Sequence, residues 1–284
     1  MGKIIYNSEL KKRSDIHIDV EDRGYQFGDG VYEVIRVYNG ELFAPDMHIN
    51  RLVDSATLIQ LKVPFSVAEI KEKMKEMIAA DNLEFGIVYM QLTRGISPRN
   101  HAFPIDEVDP VFVAYTKEMP YTGMKSGVKA VTVEDIRWLR CNIKSLNLLG
   151  NILAKQQAVE AGCDEAIQHR DGVVTEGSSS NVAIIVKGTL KTHPATNLIL
   201  NGITRQVLLK LCADNGLSFI EEPFTLSDMM AADEVLYTST GVEVTPIIAI
   251  DGQLIADGKP GVVTRKLQKL FVEEIERQCG SLTE

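Results

Sequence analysis

The chain has 284 residues, 45% hydrophobic and 24% charged, which is typical of a globular protein of about two domains. Its 30 basic and 39 acidic residues give a formal net charge of −9, which disfavours binding to the phosphates of nucleic acid. Four cysteines lie scattered without a CxxC pair, and no run of 18 apolar residues occurs. We therefore predict a cytoplasmic protein with reduced thiols, no metal site and no membrane partner.

Strands and helices alternate along the first hundred residues. Strands are predicted at 31–38 and 41–43, joined by Asn39-Gly40, a strong signal for a tight hairpin. A helix follows at 46–60, and a second begins at the capping box formed by Ser66 and Glu69. Two more strands, at 86–94 and 111–116, are rich in β-branched and aromatic residues.

Residues 119–127 contain a proline and two glycines with little periodicity, which predicts a linker between domains at 1–118 and 128–284. Beyond it we predict helices at 146–161, 204–215 and 263–279. Between these helices lie strands at 128–133, 165–169, 173–175, 182–186, 234–238 and 244–250. This mixed order of elements predicts an α+β (mixed α/β) fold.

Lys144 stands between Ile143 and Leu146, just before a predicted helix. Desolvation disfavours the charged form of a lysine, and a neutral amine is a nucleophile that condenses with an aldehyde. The alternative is a lysine whose stem is buried while its amine reaches solvent at a strand edge.

Three short segments of the second half could bind an anion. TEGSSSN (175–181) combines hydroxyls, including those of Ser179 and Ser180, with Asn181 and the carboxylate of Glu176. NGITR (201–205) opens a helix, whose first N–H groups form an anion site, and Thr238-Ser239-Thr240-Gly241 closes a strand. The alternatives are a solvated turn for the first segment and an N-cap role for Thr204. A nucleophilic lysine, a carboxylate and anion sites together match the aldehyde, ring nitrogen and phosphate of pyridoxal 5′-phosphate.

SPRNHAFP (97–104) places Arg99 and His101 in a loop after a strand. Residues two apart in an extended segment point the same way, so both cations could meet one carboxylate. A surface loop with solvated charges is the alternative.

The segments EDRGYQFGDGVYE, SPRNHAFP, EDIRWLRCNIKSLNLL, TEGSSSNV and NGITR together resemble the class IV, fold-type-IV, pyridoxal-phosphate-dependent aminotransferases, most closely the D-amino acid aminotransferase subfamily. The resemblance extends from about residue 19 to 268. It implies a smaller N-terminal α/β domain with the substrate-carboxylate side and the dimer contacts. It also implies a larger C-terminal mixed-sheet domain, with the cofactor at the interface.

By this resemblance Lys144 forms the Schiff base and Glu176 pairs with the pyridine nitrogen. Leu200 packs on the ring, and Tyr32, Arg99 and His101 bind the substrate α-carboxylate. The resemblance assigns phosphate binding, partly through backbone N–H groups, to Arg51, Ile203, Thr204 and Thr240. Ser179, Ser180, Asn181 and Ser239 complete the predicted cofactor set. The chain departs from close relatives at Gly241-Val242, where further hydroxyl residues are usual.

The resemblance implies a homodimer that transfers the amino group of D-amino acids such as D-alanine to 2-oxoglutarate. The products are pyruvate and D-glutamate, and the kinetics are ping-pong. The alternatives are an aminotransferase for branched-chain L-amino acids or R-amines, an aminodeoxychorismate lyase, and a non-catalytic protein that binds pyridoxal phosphate.

Overall fold

The structure is a computed structural model that describes residues 2–282. The chain divides into two units, and the first comprises Met1–Thr122, Ile143–Asn147 and Ile275–Glu284. The second comprises Gly123–Asn142 and Leu148–Glu274. The units thus divide within the predicted linker at 119–127, but two later segments belong to the first unit. The predicted domains at 1–118 and 128–284 remain predictions.

The first unit is built on an antiparallel sheet of six strands in the order β2-β1-β6-β5-β3-β4. The strands are β1 (Lys3–Tyr6), β2 (Glu9–Lys12), β3 (Gly30–Tyr38), β4 (Glu41–Leu42), β5 (Gly86–Thr93) and β6 (Val111–Glu118). The helices are α1 (Arg23–Phe27), α2 (Pro45–Leu58) and α3 (Val67–Asp81), and 13–15 form a 3₁₀ turn. Buried residues of β3 and β5, such as Ile35 and Met90, pack with Ile49 of α2 and Met74 of α3 into one core.

Local signals predicted two features of this unit correctly. Asn39 and Gly40 both have positive φ, 52° and 76°, as the tight hairpin between β3 and β4 requires. The Ser66 hydroxyl accepts from the Glu69 N–H while the Glu69 carboxylate accepts from the Ser66 N–H, which forms the predicted capping box of α3.

The second unit is built on a mixed sheet of nine strands. Eight form the path β12-β11-β10-β13-β14-β7-β8-β9, and β15 pairs with β14. The pairs β11–β12, β14–β7 and β7–β8 are parallel. The strands are β7 (Val128–Glu134), β8 (Glu165–Arg170), β9 (Val173–Gly177), β10 (Asn181–Val186), β11 (Thr189–Thr192), β12 (Phe219–Glu221), β13 (Glu234–Ser239), β14 (Glu243–Ile250) and β15 (Gln253–Leu254). The helices are α4 (Leu149–Glu160), α5 (Ile203–Asp214), α6 (Leu226–Met230) and α7 (Val262–Cys279), of which the residues of α7 from Ile275 onwards belong to the first unit.

The helix predicted at 146–161 begins later than expected. The Leu146 N–H donates to the Gly30 carbonyl at 3.0 Å and Ser145 forms a bridge with Val31, so this stretch is extended beside β3. Helix α4 therefore starts only at Leu149. Within the described residues no helix is both long and apolar enough to cross a membrane.

Candidate active site

Lys144 belongs to the first unit and is fixed there by its backbone. Its N–H donates to the Ser55 hydroxyl at 3.2 Å, and its carbonyl accepts from the Tyr32 N–H at 3.0 Å. Buried Ile143 joins the core of the unit just before it. The half-buried side chain places Nζ 4.2 Å from the centre of the Tyr32 ring. Among residues 2–282 no carboxylate forms an ion pair with this amine, which is the condition a nucleophilic lysine needs.

A buried ion cluster lies on the opposite face of β3 from Tyr32. Glu33 is fully buried and accepts from Arg51 Nε and Nη2 at 2.9 and 2.8 Å, and from His48 Nδ1 at 3.0 Å. Burial would raise the pKa of Glu33, but Arg51 and His48 hold it well below its ordinary value. Burial lowers the pKa of His48, against the opposite effect of Glu33. Arg51 is predicted to bind phosphate. Its guanidinium group is held in place by two hydrogen bonds to the Glu33 carboxylate.

Arg99 and His101 come together on one aromatic ring. The Arg99 guanidinium lies 4.5 Å from the centre of Phe27, and the His101 ring centre lies 5.5 Å from it. Both side chains are exposed, and within residues 2–282 neither forms an ion pair. The Tyr32 ring contacts Lys144 and stacks on Tyr89, and within residues 2–282 no hydrogen bond or ring contact joins it to Arg99 or His101.

Glu176, in the second unit, is a buried carboxylate with three donors around it. It is ion-paired with Arg137, and its Oε2 accepts from Asn181 Nδ2 at 3.0 Å and from the Leu200 N–H at 2.9 Å. Burial raises the pKa of Glu176 to about 7, although Arg137 and the Leu200 N–H favour its charged form. A carboxylate at this position would favour the positively charged form of a ring nitrogen beside it.

The serines of TEGSSSN have different surroundings. The hydroxyls of Ser178 and Ser180 donate to the carboxylate of Glu165, which is 2% exposed, whereas Ser179 is exposed. Because all residues of this segment except Ser179 are buried, the alternative of a solvated turn is wrong.

The other predicted phosphate ligands lie at the ends of two elements. Helix α5 begins at Ile203 with Gly202 as its N-cap, and a glycine has no side chain that could cap the first N–H groups of the helix. Thr204 lies inside the first turn, and the alternative that it is only an N-cap is wrong. Ser239 ends β13 and Thr240 follows it, both half-buried.

These residues fit pyridoxal 5′-phosphate. The chain offers the amine of Lys144, which has no ion pair with any described residue, and the buried carboxylate of Glu176. The uncapped N-terminus of the 12-residue helix α5 suits a phosphate. Each group of the cofactor that needs a protein partner therefore has a chemically matched one.

Three charged residues with buried side chains, Arg137, Glu33 and Glu165, contact predicted site residues but were not themselves predicted from the sequence. Arg137 stands in the quoted segment EDIRWLRC, but its partner Glu176 lies 39 positions away in the chain. A charged residue inside an apolar strand, as at Glu33 in β3, is the signal that could have identified that residue, whereas Glu165 begins the more polar strand β8 and gives no such signal.

Comparison with known proteins decides the family. Residues 30–250 match the family model described as amino-transferase class IV. The chain belongs to the class IV aminotransferases. The predicted family, fold type and aminotransferase activity are thereby confirmed.

Individual relatives of this class IV aminotransferase cover almost the whole chain. It is 51% identical to a D-alanine aminotransferase of Listeria monocytogenes serotype 1/2a (strain 10403S), over 99% of this chain and 98% of that protein. It is 49% identical to the D-alanine aminotransferase of Staphylococcus haemolyticus, over 99% of this chain and 100% of that protein.

Solved structures match the fold at the same coverage. The crystal structure of a T.th. branched-chain amino acid aminotransferase with pyridoxamine 5′-phosphate superposes with a TM-score of 0.91. That protein is 26% identical, and the match covers 98% of this chain and 97% of that one.

Proposed function

We propose that this class IV aminotransferase transfers the amino group of D-amino acids, D-alanine among them, to 2-oxoglutarate. Pyruvate and D-glutamate are the products from D-alanine. The proposal is supported by about 50% identity to D-alanine aminotransferases over nearly the full chain. Pyridoxal 5′-phosphate is the cofactor of this enzyme, and small amino and 2-oxo acids are its substrates.

When bound, the cofactor supplies an aldehyde that condenses with amines and a ring that accepts the electron pair released at the substrate Cα. We assign the chain's own residues the following tasks. Lys144 Nζ holds the aldehyde and then carries the proton that leaves Cα. Glu176 holds a proton on the ring nitrogen. Leu200 packs on the ring, and the phosphate is bound by Arg51, Thr240 and the N–H groups of Ile203 and Thr204, with Ser179, Ser180, Asn181 and Ser239 nearby.

The observation that carries the substrate assignment is the pair Arg99 and His101. Both contact Phe27, and neither has an ion-pair partner among residues 2–282, so both are available to an added carboxylate. We assign them, with Tyr32, to the substrate α-carboxylate. A substrate fixed at its carboxylate and its nitrogen presents the Cα hydrogen of only one enantiomer to Lys144.

The branched-chain enzymes are the second candidate, because the superposed structure at TM-score 0.91 is one of them. A panel of amino acids with 2-oxoglutarate separates the two. We expect D-alanine to yield pyruvate, and L-alanine, L-leucine and L-valine to react poorly. Faster turnover of L-leucine than of D-alanine would establish the branched-chain activity instead.

A variant of Arg99 tests the carboxylate assignment directly. Removing one charged partner of a bound carboxylate costs about 2–5 kcal/mol, so Arg99→Ala should lower kcat/KM for D-alanine by roughly 30- to several-thousand-fold. The cofactor's absorption band should persist in this variant. Arg13→Ala, at an exposed arginine of the same unit, is the matched control and should leave kcat/KM unchanged.

We further propose that the enzyme is a homodimer. The start of α4 and the residues before it expose large apolar side chains, and Gly150 of α4 lies against Arg137, so these residues form one patch. A patch of this kind marks a protein interface. Its members are Ile136, Trp138, Leu139, Leu149, Ile152 and Leu153.

The cytoplasm is the compartment that we propose for this enzyme. All four of its cysteines are free thiols, as a reducing compartment maintains them.

A further inference from the structure

The loop that carries Arg99 and His101, residues 97–103, contacts a cluster of buried charged residues. These charged residues have no role of their own in the proposed reaction. Arg23 is 3% exposed, and its Nη1 donates to the carbonyls of Asn100 and Ala102 at 2.6 and 3.3 Å. These two carbonyls alternate with the two cationic side chains along the loop. A single guanidinium thus fixes the backbone on both sides of His101.

Asp29 holds Arg23 in that position. Its Oδ2 accepts from Arg23 Nε at 2.8 Å, and it forms a bidentate pair with Arg94 at 2.8 and 3.0 Å. Burial opposes ionisation, but hydrogen bonds from Arg94 and Arg23 hold the pKa of Asp29 below its ordinary value. The carboxylate therefore stays charged, and two arginines are fixed by one anion.

The second arginine supports the far end of the loop. The guanidinium of Arg94 lies 3.7 Å from the centre of the Phe103 ring, and it also donates to the carbonyls of Ile59 and Gln60 at 2.8 Å each. Phe103 is therefore attached, through Arg94, to the end of α2.

Helix α1 completes the support. It begins with Arg23 and ends with Phe27, whose ring contacts Arg23, Arg99 and His101. The same short helix thus contacts the loop backbone at one end and the side chains of Arg99 and His101 at the other. The guanidinium groups of Arg23 and Arg99 repel each other across Phe27, and of these two only Arg23 has a carboxylate partner within residues 2–282.

We propose that Arg23, Asp29 and Arg94, which we call the loop-anchoring cluster, are positioning residues that set the enzyme's affinity for the substrate carboxylate. The cluster fixes residues 97–103 so that Arg99 and His101 are presented together before substrate arrives. The proposal depends on the carboxylate role of Arg99 and His101 in the proposed function.

The decisive experiment compares an amino acid with its own amide on the Arg23→Gln holoenzyme. We use the amino acid that the unmodified enzyme converts fastest, expected to be D-alanine, and D-alaninamide, which lacks the charged carboxylate. Misplacement of a binding group by about 1 Å has large kinetic effects, so we expect the KM for D-alanine to rise about tenfold or more. We expect kcat for D-alanine, and the half-reaction rate with D-alaninamide, to change less than about twofold.

Two further variants separate positioning from general damage. Arg23→Lys retains the charge beside Asp29 and should recover part of the affinity. Arg36→Gln is the matched control, since Arg36 is equally buried at 3% but donates to the carbonyls of Gly86, Met119 and Pro120. It should leave the KM for D-alanine unchanged.

Coupling to Arg99 and His101 gives an independent measurement. In the background of Arg99→Ala and His101→Ala together, Arg23→Gln should raise the KM by less than about twofold further, because both groups that it positions are gone. If Arg23→Gln does not fold, Phe27→Leu replaces it, since that change leaves every buried charge paired and should raise the KM in the same way.

The outcomes distinguish this inference from the proposed function. Equal losses with D-alanine and D-alaninamide, an unchanged KM in Arg23→Gln, or an equal rise in Arg36→Gln would each overturn the role of the cluster alone. An unchanged KM in Arg99→Ala would overturn the carboxylate role of Arg99, and this inference with it.

Discussion

At the scale of single residues, the two groups closest to the proposed chemistry are held in opposite ways. Lys144 is fixed through its backbone, by Ser55 and Tyr32, and its amine lies over an aromatic ring without an ion pair in the described chain. Glu176 is fixed through its side chain, by Arg137, Asn181 and the Leu200 N–H. A nucleophile must move and a counter-charge must not, and the contacts of each residue agree with its task.

Lys144 should be the site of covalent attachment. Borohydride reduction of the holoenzyme followed by peptide mass mapping should locate the pyridoxyl adduct on Lys144, because its amine is half-buried and free of ion pairs. Lys144→Ala should lose the visible absorption band, whereas Lys155→Ala, at an exposed lysine, should retain it. An adduct on any other lysine would refute the assignment.

Glu176 should act on the reaction rather than on cofactor retention. Glu176→Gln keeps the size of the side chain, but it has one accepting oxygen instead of two and carries no charge that could stabilise a positive ring nitrogen. We expect the single-turnover rate with D-alanine to fall at least about 100-fold, since loss of one preorganised electrostatic partner typically costs that much. The dissociation constant of pyridoxal phosphate, measured by equilibrium dialysis, should change less than about tenfold. Near-normal turnover would exclude this role, and Glu134→Gln, at an exposed residue, is the control.

At the scale of secondary-structure elements, one carboxylate connects β9, the strand that carries Glu176, with β7 and β8. Asp135 follows β7 and accepts from Arg137 Nε and Nη2 at 2.8 Å each. It also accepts from Arg170 of β8 at 3.1 Å and from Thr175 of β9 at 2.9 Å. Since Arg137 in turn pairs with Glu176, the position of that carboxylate depends on three strands together.

Asp135 should contribute a stability that depends on pH. Burial opposes its ionisation, but hydrogen bonds from Arg137 and Arg170 hold its pKa at about 2, below the ordinary 3.8. Its contribution is therefore fully present above pH 3.8 and is lost as the pH falls through about 2. We expect Asp135→Asn to lower the free energy of unfolding by about 3 kcal/mol at pH 7, and by less at pH 3.

Urea unfolding of the wild type and the variant at both pH values measures this difference. Asp251→Asn is the matched control, because Asp251 is an exposed carboxylate that accepts from the Thr132 N–H and hydroxyl on the same strand β7. Its loss should cost less than about 1 kcal/mol at either pH. A loss in Asp135→Asn that is independent of pH would contradict the argument.

At the scale of the whole molecule, the acidic surface and the apolar patch of the second unit have separate consequences. A net charge of −9 keeps copies of the chain apart at long range, but salt screens it within about 10 Å. The patch around α4 can then drive association, because burial of its exposed leucine, isoleucine and tryptophan side chains away from water lowers the free energy.

The homodimer should be visible in light scattering. We expect a mass of about twice 31.4 kDa at micromolar concentration, and a shift towards the monomer in Ile152→Glu, which places a charge in the patch. Leu254→Glu changes an equally apolar and exposed residue outside the patch and should leave the mass unchanged. A fully active monomer of the unmodified chain would contradict the proposal.

Features that involve only neighbouring residues were predictable from the amino-acid sequence. The Asn39-Gly40 hairpin, the capping box of α3 and the periodicity of α7 each involve residues within a few positions of one another. The family was also predictable, since its motifs are short and contiguous. The strands and helices that the sequence did not predict, such as β12 and α6, are only 3 and 5 residues long and too short to show a period.

The partners of the charged residues and the start of α4 depend on contacts between residues that are far apart in the chain. Leu146 has the pattern of a helix, but its N–H bonds to Gly30, more than a hundred positions earlier, and the helix is delayed to Leu149. The ion pairs of Arg137 with Glu176 and of Arg51 with Glu33 also join residues that are distant in the chain. The same holds for the hydrogen bond from Arg23 to the backbone of the loop 97–103. A buried charge must be paired, but the neighbouring residues in the sequence do not indicate which residue is its partner. The partners come within hydrogen-bonding distance only when the chain folds.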